Sequence, residues 1–285
     1  FGIWLVSVTF VFFPFSLLLA TWISDTQYTT VLNLLEEPVF VTLFAGSVGL
    51  WTLVAPLLLT GWADRVVWMR KMGCRELEPG ERGRLDPLWQ EVFARAGIHP
   101  DAYRLKMSSK PVQNAFAVGD GVITLDQGIL EMDDSDLKAI VAHELGHHVR
   151  RHTQVNGLAV WFGAPARLLY GLLLLLISGL LRLSGLISGC NIAVLVTMLA
   201  LLLAVPAIAL FLLLGLAQLL TRTLDRKAEF EADLYSAEVG FRFEMIDALA
   251  ELRGIYGEPE ADKRWSLARL GSTHPRFTDR IEALS

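Results

Sequence analysis

The stretch Ser135-Asp136-Leu137-Lys138-Ala139-Ile140-Val141-Ala142-His143-Glu144-Leu145-Gly146-His147-His148-Val149-Arg150-Arg151 decides how this chain reads. Leu137, Ile140, Val141, Leu145 and Val149 recur at helical spacing, Asp134 or Ser135 can cap the start, and Arg150 and Arg151 stand where a helix dipole favours cations. On such a helix, side chains four apart lie about 40° apart around the axis, so His143 and His147 present their imidazoles on one face as a two-toothed metal clamp. Glu144 follows the first histidine directly. Its carboxylate is placed to reach a water held by the metal rather than the metal itself, which is the geometry of a general base. Chance occurrence of the same letters on an amphipathic surface helix is the competing reading, and two histidines alone leave a zinc ion under-coordinated. The rest of the chain must supply a third ligand.

Outward from this helix the composition is that of a membrane protein. Mean hydropathy is +0.45, 53% of the 285 residues are hydrophobic and 19% are charged. Residues 1–24 carry no charge and are long enough to cross about 30 Å of hydrocarbon. A cleaved secretory signal would want a basic n-region and a small-residue cleavage site, and neither is present. A connector at 24–38 holds Asp25, Glu36 and Glu37 but no Lys or Arg, and a second uncharged run follows at 39–63. Arg65, Arg70, Lys71, Arg75, Arg82 and Arg84 come next. The positive-inside rule therefore places the segment after residue 63 in the cytoplasm.

The expected organisation has four parts. Residues 1–63 form two membrane helices with a short outer loop, and 64–157 the first part of a cytoplasmic domain. Residues 158–221 form membrane helices three and four, and 222–285 the second part of the domain. In the first cytoplasmic part, Asp86-Pro87 and the terminal Gly97 predict a short helix over 86–97. Strands are expected at 103–107, 113–118 and 122–125, with Gly119-Asp120-Gly121 as the turn of a β-hairpin. The third span, 158–181, contains Arg167, which must pair, snorkel or face a wet cavity. An outer turn is expected at 184–189 and the fourth helix at 192–220, with Pro206 a kink point. Cys74 and Cys190 fall on opposite sides and read as free thiols. A net charge of -5, with basic residues gathered at membrane exits, argues against a nucleic-acid partner.

The second cytoplasmic part carries what the clamp lacks. The run 225–238 reads as a charged helix continuing from the last span, with Glu229 and Asp233 sharing a face and Glu231 turned about 200° from Glu229. Glu229 is taken as the third ligand and Asp233 as an acceptor that orients a ligand histidine through its other ring N–H. The alternative is a solvated acidic face on a surface helix. Asn114-Ala115-Phe116-Ala117 stands out as an exposed strand edge able to hold an extended peptide by main-chain hydrogen bonds, unless the hairpin is purely structural. His274, before the helix-starting Pro275, could steady the oxyanion of a tetrahedral intermediate, although a lone loop histidine more often has no catalytic part.

Taken in order, Asn114-Ala115-Phe116, His143-Glu144-x-x-His147, Glu229-x-x-x-Asp233 and Thr273-His274-Pro275 resemble the membrane-bound zinc endopeptidases of the HtpX type, relatives of the CAAX prenyl proteases. The resemblance implies a mainly α, polytopic helical membrane protein with a small β-hairpin and a cytoplasmic zincin-like domain. It also implies one Zn²⁺ per chain, Glu144 as base, and membrane or misfolded proteins as substrates in quality control. Three alternatives compete: a CAAX-type prenyl protease acting on lipidated peptides, a non-catalytic membrane scaffold with a vestigial site, and a transporter. The transporter is disfavoured because only Arg167 is ionisable near mid-membrane depth.

Overall fold

The computed structural model describes residues 2–23, 35, 38–59, 69–70, 73–119, 121–187, 191–258 and 275–285, with backbone alone at 58, 59 and 220–224. In chain order the elements are helices α1 (Gly2–Ile23) and α2 (Pro38–Leu59), strand β1 (Cys74–Arg75), helix α3 (Pro79–Ala96), and strands β2 (Arg104–Ser108), β3 (Ala115–Val118) and β4 (Val122–Asp126). Helices α4 (Asp134–Val149), α5 (His152–Phe162), α6 (Ala164–Leu186), α7 (Asn191–Glu238), α8 (Arg242–Tyr256) and α9 (Phe277–Leu284) follow. The fold is mainly helical with one small sheet.

Among the described residues, four helical stretches are long and apolar enough to cross a membrane: Gly2–Ile23, Pro38–Leu57, Ala164–Leu186 and Asn191–Leu219. The chain divides into two compact units. One comprises Phe1–Leu57 with Leu158–Gln218, the other Leu58–Gly157 with Leu219–Ser285.

Within the first unit, α1 carries a π-helical turn at Val8–Phe12, directly ahead of Pro14. Proline offers no N–H to the carbonyl four residues back, and the widened turn absorbs that missing bond. Trp4 Nε1 donates to Thr52 Oγ1 at 3.1 Å, and Ser7 Oγ donates to the Phe162 carbonyl at 2.6 Å. Val6, Ala166, Leu173, Ala207 and Leu210 form its main apolar contact. The expected third span at 158–181 is interrupted. Helix α5 ends at Phe162, Gly163 intervenes, and α6 restarts at Ala164 with Pro165 in its first turn, where a residue without an N–H is tolerated at a helix start but not in a helix interior. Arg167 donates to the Val160 carbonyl, one of the acceptors this break leaves without a helical donor. Of the expected turn at 184–189, residues 184–186 still belong to α6 and only Ile187 is described beyond its end, since 188–190, with Cys190, lie outside the described residues.

In the second unit, α3 begins seven residues before the predicted start at 86. A capping box between Glu78 and Glu81 and Pro79 in the first turn set the real N-terminus, and Arg75 clamps Glu81 at 2.7 and 2.8 Å. Asp86-Pro87, read as a start signal, therefore lies inside the helix, while the C-terminal end is as predicted, with Gly97 at φ 67°. The sheet has order β1-β2-β4-β3, β4 running parallel to β2 and antiparallel to β3, so the expected hairpin is formed and β3 is the edge. Strand β1 is only two residues long, too short for any alternation to announce it. Helix α4 packs over the sheet; its N-cap position is Asp133 rather than Asp134 or Ser135, without a side-chain capping hydrogen bond, and Leu137, Val141 and Leu145 are buried with Phe93 and Leu125 in one core. Each such side chain contributes about 1.5–3 kcal/mol on burial.

Candidate metal centre

Helix α4 leaves His143 and Glu144 buried, at 6% exposure each, although burying such groups is costly unless they have partners. The partners come from α7. Gly146 permits the approach: a Cβ there would stand 3.0 Å from Tyr235 Cβ and 3.2 Å from Ala232 Cα. Ser236 Oγ adds a hydrogen bond to the Ala139 carbonyl at 3.0 Å. These contacts bring Glu229 and Asp233 against the two histidines.

The Nε2 atoms of His143 and His147 lie 3.2 Å apart, and each stands 3.7 Å from a different oxygen of Glu229. All three donors fall within 4.8 Å of one another. Tetrahedral zinc with ligands near 2.0–2.1 Å requires ligand-to-ligand spacings of about 3.3 Å, so the donor set fits such an ion in both chemistry and size. His147 is held down to a pKa of about 3 by burial and by the adjacent His143, which keeps its imidazole neutral and its lone pair available. Burial also opposes charge on His143, but Asp233, with Oδ1 2.8 Å from Nδ1, outweighs it and raises the pKa.

Asp233 is itself anchored. Arg280, on α9, donates to it from Nε at 2.7 Å and from Nη2 at 2.6 Å, and its Nη1 lies 3.1 Å from Glu229 Oε2. Burial works against the Asp233 charge, yet Arg280 and His143 hold its pKa below the ordinary value. Arg280 is 6% exposed and rises above the usual arginine value because these carboxylates outweigh its burial. Glu258 fixes the start of α9 by accepting from the Thr278 backbone N–H at 3.0 Å.

Beside these groups lies a cavity of about 440 Å³. Its polar wall includes His143, Glu144, Glu229, Asn114 and Arg280, and its apolar wall includes Ile129, Ile140, Met245, Leu249 and Phe277. Asn114 and Ala115 line it, whereas Phe116 and Ala117 continue along the edge strand away from it. Gly128 lets the lead-in to that strand lie close, since a Cβ there would meet the Val112 backbone at 2.6 Å. The structure thus gathers His143, Glu144, His147, Glu229, Asp233, Asn114 and Ala115. His274 lies outside the described residues, although its neighbour Pro275 lines the cavity.

Three participants were not singled out from the sequence. Arg280 carries no spacing signal relative to Asp233, 47 positions away. His152 is five positions beyond His147, a separation that a continuous helix would splay by about 140°. Glu231, which points away from Glu229 as expected, accepts from His152 Nε2 at 2.9 Å.

Helical spans together with a sheet-backed His-Glu-x-x-His helix, completed by a glutamate from a later helix, define a membrane-embedded metal-site protein of zincin type. The profile of peptidase family M48 matches residues 79–285, nearly the whole of the second unit's sequence together with the later spans. The chain belongs to peptidase family M48. A protease HtpX homolog from Sulfurovum sp. (strain NBC37-1) is 29% identical over 234 residues, covering 73% of this chain and 78% of that protein. One from Pyrobaculum aerophilum is 29% identical over 184 residues, covering 62% of this chain and 49% of the relative, so the match takes in about half of its length. The crystal structure of S. mikatae Ste24p shares the fold with a TM-score of 0.50 at 18% identity, over 85% of this chain and 58% of the other.

Proposed function

We propose that this chain is an integral-membrane zinc endopeptidase that cleaves membrane or misfolded proteins on the cytoplasmic side. The observation that carries the reading is the donor set of His143, His147 and Glu229 within 4.8 Å, with Glu144 beside it on an apolar cavity next to a sheet edge. Zinc held there would supply Lewis acidity, making water nucleophilic near neutral pH and polarising a peptide carbonyl. Glu144 takes the proton of the attacking water and returns it to the leaving amine. The segment from Asn114 along β3 receives an extended substrate through main-chain hydrogen bonds, and the apolar wall takes a side chain next to the scissile bond. Asp233 orients His143, Arg280 holds Asp233 and Glu229 in place, and His274 helps to hold the oxyanion.

The test is cleavage of unfolded β-casein and of a farnesylated peptide by the full chain in detergent, before and after zinc chelation. The expected result is casein cleavage that stops on chelation and returns with added zinc. Cleavage of the lipidated peptide alone would move the assignment to the prenyl type. Casein cleavage that persists through complete removal of zinc would overturn the zinc mechanism.

A further inference from the structure

The two ligand histidines are oriented by different means. His143 has a carboxylate, Asp233, at its Nδ1. His147 has another histidine: its Nδ1 lies 3.2 Å from His152 Nδ1, the two rings standing 5.4 Å apart at 67°. On the far side, His152 Nε2 is 2.9 Å from Glu231 Oε2, and Lys227 Nζ lies 3.2 Å from the same carboxylate's other oxygen.

The polarity of this chain of bonds follows from its last member. An ionised carboxylate only accepts, so His152 Nε2 carries the hydrogen and donates to Glu231. In the neutral ring Nδ1 is then the acceptor, so the hydrogen between the two histidines belongs to His147 Nδ1. That leaves His147 Nε2 with a bare lone pair directed at His143 Nε2 and Glu229.

A specific backbone feature produces the arrangement. Helix α4 ends at Val149, and Arg151 adopts φ 61°, the only non-glycine residue with positive φ among those described. This is left-handed backbone that favours glycine, and it redirects α5 so that His152 turns back onto His147. His148, by contrast, is tied to the sheet, with Nε2 3.0 Å from the Val122 carbonyl and Nδ1 3.3 Å from Thr153 Oγ1, so it does not compete for this place.

We propose that His152, held by Glu231, is a positioning residue that fixes the tautomer and ring orientation of His147 for metal binding, the part Asp233 plays for His143. The proposal rests on His143, His147 and Glu229 being the zinc ligands. Outer partners of ligand histidines typically change metal affinity by about 10–100-fold.

The experiment measures zinc affinity by competition with a chromophoric chelator, using the full chain in detergent and zinc alone as the probe. His152→Ala is expected to weaken zinc about 10–100-fold, and His152→Asp, which restores an acceptor, is expected to recover most of the loss. Glu231→Ala leaves the His152 ring in place and should weaken zinc by a smaller factor, and it serves where His152→Ala does not fold. Zinc binding by His152→Ala equal to wild type, or His152→Asp as defective as His152→Ala, would overturn the positioning role. Absence of zinc binding by the wild-type chain would overturn the metal site together with it.

Discussion

At the residue scale the site depends on charge held in depth by partners. Asp233 and Arg280 are almost fully buried, and removing either deprives the other of its doubly hydrogen-bonded partner, a change that costs up to about 3–5 kcal/mol in buried pairs. Asp136 is the contrary case, a carboxyl with neighbours of its own sign. Burial, then Glu251, Asp247 and Asp133, push its pKa up to about 6. A raised carboxyl pKa means that the folded state holds the proton more tightly than the unfolded chain between about pH 4 and pH 6. Stability tied to the neutral form is therefore lost as pH rises through 6. Two pH units correspond to about 3 kcal/mol, but the acidic neighbours Asp133 and Asp247 are exposed, and solvent screening of their repulsion reduces the cost to about 1 kcal/mol. Asp136→Asn is expected to raise the unfolding temperature by about 2–4 °C at pH 7.5 and to give no advantage at pH 4, as thermal unfolding at the two pH values will report. An equal gain at both would show that the charge is not the cause. His143 with His147, and Glu229 with Asp233, were legible in the sequence because i, i+4 spacing on one helix is a geometric fact before any fold is known. Arg280 and His152 were not legible: the first meets its partner only through tertiary packing, and the second depends on one left-handed residue.

At the element scale the site is a matter of how closely α4 and α7 approach. Gly146 sits at their crossing, where a methyl group would stand 3.0–3.2 Å from Tyr235 and Ala232. Those neighbours are a backbone-linked Cβ and a Cα, which cannot swing away. Gly146→Ala should therefore push α7 outward and widen the spacing of Glu229 from both histidines, lowering zinc affinity while the helix propensity of α4 rises. Chelator competition with far-ultraviolet circular dichroism reads both effects. Undiminished zinc affinity would show that the helices have slack at this crossing. The same dependence on approach explains what the sequence concealed. The capping box at Glu78 and Glu81 outcompetes the later Asp86-Pro87 start because Arg75 reinforces it from β1, a strand with no pattern of its own. The β3–β4 hairpin was legible from its glycine turn and alternation, whereas the parallel β2–β4 pairing is non-local and leaves no mark in the local pattern.

At the scale of the whole molecule, uncharged runs announced the spans, since a helix crossing hydrocarbon must be both long and apolar. The break at Gly163 was missed because hydropathy runs smoothly across it and only Pro165 marks it. The proposed ligands are parted in sequence by the segment that carries α6 and most of α7, so the donor set is complete only when both portions, Leu58–Gly157 and Leu219–Ser285, have folded together. The central claim is that His143, His147 and Glu229 hold zinc while Glu144 moves the proton. The most direct measurement compares metal content and casein cleavage for wild type and Glu144→Gln, both purified whole in detergent. Loss of a general base costs about 10²–10⁴-fold in rate, so the account predicts about one zinc per chain in both proteins and cleavage reduced by that factor in the variant. Cleavage by Glu144→Gln at the wild-type rate, or loss of zinc from it, would contradict the account.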